Sequence, residues 1–339
     1  MKIKFTLLLI LILCIIITAH KAIAQQDPQF TQFMNNKLFY NSAFAGSTQD
    51  KICVNLLGRT QWTGFGGGTA FDPGNGQPLV PRGDSPRDLV GGIHGSIGRF
   101  GIGAHVVSDV LGFDNTLNAM LDLAYKQPLD ALGAKLAFGV GVGFIQKGVD
   151  GSKLIAKDPN DPLIPNIDVK GNEMDINAGI YYTMDQLSIV NNFYFGLSAT
   201  HLNSPLVTWE WASFIKKIPT NMHLYAMTGA EYELNSSIVL NPNILYKTDM
   251  VKHQVDLNCM VIWNQNLSGG LTYRTSDAIA VLVGYQLPIG MQLGYSYDLT
   301  TSNLLTYSTG SHEITLRYCF GLKFPLPKPP IPVLTPRKM

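Results

Sequence analysis

Charge is scarce in this chain. Asp, Glu, Lys and Arg make up 14% of its 339 residues, where a soluble domain carries about 25%. The net charge is +1, so no basic field is available to attract nucleic acid. Long apolar runs are scarce too. Beyond the first residues, no stretch approaches the roughly 18 apolar residues that a transmembrane helix needs. Mean hydropathy is only +0.11 although 46% of the residues are hydrophobic, which excludes a bundle of membrane helices. Cysteine is rare: Cys14 lies in the apolar leader, and Cys53, Cys259 and Cys319 remain. An odd, sparse set does not build a disulfide scaffold.

Chemistry-bearing constellations are also missing. His94, His201, His223, His253 and His312 show no metal-ligand spacing, so no metal is expected. No Ser-His-Asp set with local support occurs, so no catalytic residue is assigned and an enzyme is not expected. The run Gly64-Phe65-Gly66-Gly67-Gly68 lacks the Lys-Ser/Thr of a phosphate cradle and opens no clear helix. It is expected in a flexible outer loop, and no cofactor is expected. Arg82-Gly83-Asp84 is a chance tripeptide in a loop.

What is present begins with a leader. Lys2 and Lys4 precede a Leu/Ile-rich run from Phe5 to Thr18, and Ala22-Ile23-Ala24 supplies a small-residue cleavage site. This pattern predicts a secretory signal peptide over residues 1–24, cut after Ala24. The following residue is Gln25, so lipid attachment at a cysteine is not expected.

The rest of the chain alternates with period two. In "GAKLAFGVGVGF", Ala134, Leu136, Phe138, Val140, Val142 and Phe144 share one face, and Gly139, Gly141 and Gly143 lie on the other. "HEITLRYCF" sorts Ile314, Leu316, Tyr318 and Phe320 against Glu313, Thr315, Arg317 and Cys319. A soluble sandwich would cover its second face with Lys, Glu and Thr. Here that face is mostly Gly, Ala, Ser, Asn and Gln with a few charges, as in the crowded interior of a closed barrel whose apolar face meets lipid. The expected fold is therefore all-β: one transmembrane antiparallel β-barrel over residues 51–322.

About fourteen strands are predicted, near 51–58, 88–98, 100–109, 115–127, 132–147, 173–184, 191–201, 222–233, 236–247, 252–263, 267–274, 278–286, 289–298 and 311–322. Long links fall at one end, short turns at the other, as in outer-membrane barrels with both termini in the periplasm. Residues 323–339 carry five prolines from Pro325 to Pro332 and predict an extended periplasmic tail. Cys53 and Cys319 both face the lumen by alternation, on strands that meet on closure; register decides whether they pair. Cys259 falls on the lipid side. Trp209, Trp211 and Phe214, in an outer link, fit either an interfacial aromatic girdle or an outer-loop partner surface.

One segment fits none of this. Residues 26–47, "QDPQFTQFMNNKLFYNSAFAGS", are rich in Asn, Gln and aromatics without strand or helix periodicity. The segment resembles the amino-terminal signature of the PorP/SprF family of outer-membrane proteins, found with type IX secretion and gliding motility in Bacteroidota. Gln26, Asp27, Pro28, Phe30, Gln32, Phe33, Met34, Phe39, Tyr40, Asn41, Ala43, Phe44, Ala45 and Gly46 match it, while Ser42 stands where proline is usual. "RTQW" (Arg59, Gln61, Trp62), "FGLSATHLNSP" and "GSHEITLRY" are similar to further family motifs. The resemblance implies a fourteen-stranded barrel like the long-chain fatty-acid channels, bound to a secretion-machinery component or a secreted cell-surface adhesin, with membrane lipid around it. In that frame residues 25–50 are expected to form a plug or collar, with aromatics in the lower lumen. Tyr40, Asn41, Phe44, Gly46, Arg59, Gln61 and Trp62 are its motif residues. The alternative expectation is a channel for small hydrophobic or polar solutes.

Overall fold

Period-two alternation over runs of eight to nineteen residues leaves extended strands as the regular structure that sorts these side chains. The computed structural model describes residues 27–64, 85–154, 158, 161, 164–165, 167–302, 305 and 308–321. The expected signal peptide, the Arg-Gly-Asp tripeptide, most of the Gly-rich loop and the proline tail lie outside these residues. Fourteen strands form one closed antiparallel ring: β1 (Lys51–Thr60), β2 (Arg87–Ile97), β3 (Phe100–Leu111), β4 (Asp114–Leu129), β5 (Ala134–Val149), β6 (Val169–Leu187), β7 (Val190–Thr200), β10 (His223–Asn235), β11 (Ile238–Thr248), β12 (His253–Trp263), β13 (Leu267–Arg274), β14 (Ala278–Gln286), β15 (Met291–Thr300) and β16 (Ser311–Gly321). Two further strands, β8 (Leu206–Trp211) and β9 (Phe214–Pro219), make a separate hairpin between β7 and β10. The sequence reading leaves this hairpin as loop. Its strands are six residues each, too short for a clear periodic signal.

Exposure follows the alternation. On β5, Phe138, Val140, Val142 and Phe144 are 44–51% exposed outward, while Gly139 and Gly141 between them are buried. Leaving such side chains in water forfeits about 1.5–3 kcal/mol each. Repeated round a closed ring, the cost is met by an acyl-chain environment, so the barrel spans a membrane. Among the described residues no helix is long and apolar enough to cross one. Links 61–86, 150–168, 201–222 and 301–310 are at one end of the ring, and the other end has turns such as 98–99 and 188–189. The short-turn end is periplasmic by the usual barrel asymmetry.

The ring closes between β1 and β16, from Lys51↔Gly321 to Thr60↔His312. Cys53 and Cys319 are direct partners in that register and form a disulfide. Cys259 is a free, exposed thiol among outward-facing residues. Cys319→Ser is expected to lower the urea midpoint and to abolish the gel-mobility difference between reduced and non-reduced protein. Loss of a native cross-link over so long a loop costs about 2–5 kcal/mol. An unchanged midpoint would mean that the β1–β16 ladder holds the seam alone.

Candidate functional site

The segment of residues 27–47 hydrogen-bonds to residues of β1, β2, β4, β6, β7, β10, β13, β15 and β16. Its backbone cannot join the closed ladder, so it folds into three short helical turns, Phe33–Asn35, Lys37–Tyr40 and Ser42–Phe44. Asn41 joins the last two. Its Oδ1 accepts the Ala43 N–H at 2.9 Å, and its Nδ2 donates to the Ile180 and Leu197 carbonyls at 2.9 and 3.2 Å. Strand glycines make the room. A Cβ on Gly139 would strike the backbone of Ala43, and one on Gly101 would strike Ala45. The small inward face of β5 is thus the mould for the segment.

Three anchors hold it. The first is a charged cluster in the outer half. Arg59 contacts Glu313 at 3.0 Å and Asp298 at 2.9 Å. Arg274 contacts Asp256 at 3.2 Å, Asp277 at 3.2 Å and Asp298 at 3.3 Å. Thr31 sits between them. Its hydroxyl donates to Asp298 at 2.6 Å and accepts from Arg59 at 3.0 Å and Arg274 at 3.1 Å. The Thr31 and Gln32 N–H groups both donate to the Glu313 carboxylate, at 2.9 and 2.8 Å. Buried charges are tolerated only when paired and hydrogen-bonded, and the segment supplies part of that satisfaction.

The second anchor is Asp27. It meets His201 Nε2 at 3.0 Å, accepts from the Tyr225 hydroxyl at 2.7 Å and lies 3.5 Å from His223 Nδ1. Asp175 flanks His201 Nδ1 at 2.8 Å. Burial opposes the His201 charge, but Asp27 and Asp175 outweigh it and push this imidazole up to about 10. Burial likewise opposes the Asp27 carboxylate, and the His223 and His201 charges outweigh it and hold Asp27 well below the usual range. Donor atoms of Asp27, His201 and His223 lie within 4.8 Å of one another, a spacing that a divalent ion could share. As they stand, Asp27 is engaged by His201 and Tyr225, while His223 Nε2 is buried without a partner among the described residues.

The sign of the pH dependence follows. The raised His201 contributes fully below its ordinary 6.5 and loses its contribution as pH climbs towards 10. The lowered Asp27 contributes fully above its ordinary 3.8 and fades as pH falls below that. Asp27→Asn is therefore expected to destabilise most between about pH 4 and 6.5, by about 1–3 kcal/mol, and least above pH 10. Urea midpoints of both proteins across pH check this. A difference that does not vary with pH would remove the ion pair from the explanation.

The third anchor is apolar. Phe30, Phe33, Tyr40, Leu57, Val90, Tyr181, Tyr225 and Met227 form one buried cluster, with Phe30–Phe39 and Tyr40–Tyr225 edge-to-face at 5.3 and 5.2 Å. The aromatics pack against inward-facing strand residues, and further along the segment Phe44 meets His94 at 5.0 Å. At the inner rim the Gly46 N–H donates to His94 Nδ1 at 3.2 Å, and Lys126 donates to the Gly46 carbonyl at 2.9 Å.

Tyr40, Asn41, Phe44, Gly46 and Arg59 thus converge on one interior. Gln61 and Trp62 do not. They follow β1 at the outer rim, where the Gln61 N–H donates to Pro86 O at 2.8 Å and the Trp62 N–H to Ser311 Oγ at 3.0 Å. Sequence reasoning missed Thr31, Arg274, Asp298 and Glu313, and also His105, which pairs with Asp122 at 2.7 Å. The signal available was charge on the small inward face.

The outer hairpin leans on the extended ends of β5 and β6. Val207 is fully buried, and the Trp209 indole donates to Lys147 O at 2.9 Å. Trp209 therefore faces the protein's own wall. Trp211 and Phe214 pack together at the tip at 5.9 Å, and Ile215 and Leu206 are 69% and 43% exposed on the other face.

The profile of the family described as "Type IX secretion system membrane protein PorP/SprF" matches residues 22–318. No curated protein matches significantly. Among solved structures, the chain is similar to a Pseudomonas aeruginosa FadL homologue, with 10% identity over 85% of this chain and 94% of that one and a TM-score of 0.47. It is similar to the CymD monoaromatic hydrocarbon channel, with 10% identity over 88% and 95% and a TM-score of 0.47. It is also similar to the P. putida toluene transporter TodX, with 7% identity over 85% and 94% and a TM-score of 0.47.

Proposed function

The chain belongs to the PorP/SprF family of type IX secretion system membrane proteins, and from that premise we propose that it is a plugged outer-membrane scaffold that works by recognition, not by conduction or catalysis. The observation that carries this reading is the three-anchor packing of residues 27–47, which ties the segment to strands on every side of the lumen. A rigid filled barrel presents its outer loops in fixed positions, and rigid presentation reduces the ordering cost of binding. The partner is a component of the secretion machinery or a secreted surface protein. The outer hairpin is its docking surface. Leu206 and Ile215 offer an exposed apolar face, Trp211 and Phe214 cap the tip, and Lys216 and Lys217 flank it.

Tagged protein purified from detergent-solubilised membranes is expected to retain a secretion component or an exported surface protein. The double variant Leu206→Asp/Ile215→Asp is expected to lose at least tenfold of that recovery, since a hot-spot residue carries about 2 kcal/mol or more. Equal recovery by the variant would move the interface away from the hairpin. Failure of the wild-type protein to retain either class would overturn the recognition reading.

A further inference from the structure

In the lower lumen two cations face each other without a carboxylate. Lys37, on the second helical turn of the segment, places its ammonium 3.5 Å from the Tyr194 ring centroid and 5.8 Å from that of Phe44. Arg317, on β16, points inward and has no hydrogen bond or ion pair among the described residues. Both line one small cavity with Asn36, Asn55 and His94. Burial, and then the Arg317 charge, push the Lys37 ammonium down to about 7. The carboxylate that acts on Lys37, Glu231, is already bound by Asn192 at 2.7 Å. Asp122, which acts on His94, is paired with His105.

The amides add a donor. Asn55 Nδ2 donates to Asn36 Oδ1 at 3.1 Å. This leaves Asn36 Nδ2 buried without an acceptor, and Asn55 Oδ1 as a buried acceptor without a donor. An unpaired buried donor costs about 1–3 kcal/mol. The cavity holds one body about the size of a water molecule. A phosphate does not fit that space; a halide, larger than water, enters once the flexible ends of Lys37 and Arg317 give way.

We propose that a chloride-sized monovalent anion binds between Lys37 and Arg317, accepting from Asn36 Nδ2, and so pins the segment to the β16 wall. Asn55 lies at the edge of this site, where its carbonyl oxygen takes a water. The ion removes the repulsion between the two cations and gives the orphan amide its acceptor. It is a structural ion at the interface of segment and barrel, and it does not depend on what the outer loops bind.

Crystals of the full-length protein grown in sodium bromide test this by anomalous scattering. A bromide peak between Lys37 Nζ and the Arg317 guanidinium is expected. In parallel, the unfolding midpoint in sodium chloride is expected to exceed that in sodium gluconate at equal ionic strength by about 3 °C, saturating with chloride. Arg317→Gln is expected to lose that increment. Absence of the peak overturns the proposal. So does a peak without saturable stabilisation of the wild-type protein, because it would mark an adventitious ion only. The wild-type measurements stand even if the variant does not fold.

Discussion

With Arg274 replaced by alanine, the unfolding midpoint is expected to fall further than for any other single substitution in the lumen, and the barrel to begin conducting ions. Arg274 is 1% exposed, and each guanidinium nitrogen is engaged. Nε bonds Asp256, one terminal nitrogen bonds Asp277 and Asp298, and the other bonds Thr31. Its removal leaves Asp298 and Glu313 with Arg59 as their guanidinium partner, and Asp256 with Lys247 as the cation acting on it. Breaking a buried pair from one side costs about 3–5 kcal/mol, because the surviving charge stays desolvated. Two routes relieve that strain: protonation of a carboxylate, or entry of water where Thr31 now sits. The second loosens the segment from its outer anchor. Arg274→Lys keeps the charge but not the fork, and is expected to fall between the two, since one ammonium cannot serve four partners spread in a plane. An unfolding free energy within about 1 kcal/mol of wild type for the alanine variant would mean that the cluster does not hold the segment.

The second large effect needs no charge. Gly139→Leu is expected to expel the segment while leaving the barrel intact. A side chain at position 139 points inward and would strike the Ala43 backbone, which cannot retreat while Asn41 is bound to the β6 and β7 carbonyls. Overpacking of this kind costs about 1–3 kcal/mol or more. The strand itself tolerates leucine, so circular dichroism and resistance to heat in detergent are expected to match wild type, whereas bilayer conductance appears. The neighbouring change Val140→Leu adds bulk to the lipid side and is expected to do nothing. The two positions differ by one residue in sequence and by the thickness of the wall in space. Equal behaviour of the pair would contradict the assignment of faces.

How much of this was visible beforehand depends on distance along the chain. Alternation within one strand is local, so the fourteen barrel strands, the lipid-facing Phe138 to Phe144 and the inward Cys53 and Cys319 could be read from the residues. Whether those cysteines meet depends on the β1–β16 register, and nothing within either strand states it. The lumen cluster is less visible still. Thr31 and Glu313 are 282 residues apart, and neither carries a pattern that marks the other. His201 and His223 come together because β10 pairs with β7 across the β8–β9 hairpin, with His223 opposite Thr200. That hairpin was hidden because Leu206–Trp211 is short, and its apolar residues serve both the wall and the exterior. Motif adjacency groups Gln61 and Trp62 with Arg59. β1 ends at Thr60, so the chain has already left the lumen when it reaches them.

Single-channel recording of the intact wild-type protein in a planar bilayer, beside Gly139→Leu, tests the filled lumen most directly. A closed wild-type barrel and a conducting variant are expected. Steady wild-type conductance at the level of the variant would mean that residues 27–47 do not seal the pore, and the scaffold reading would give way to a channel.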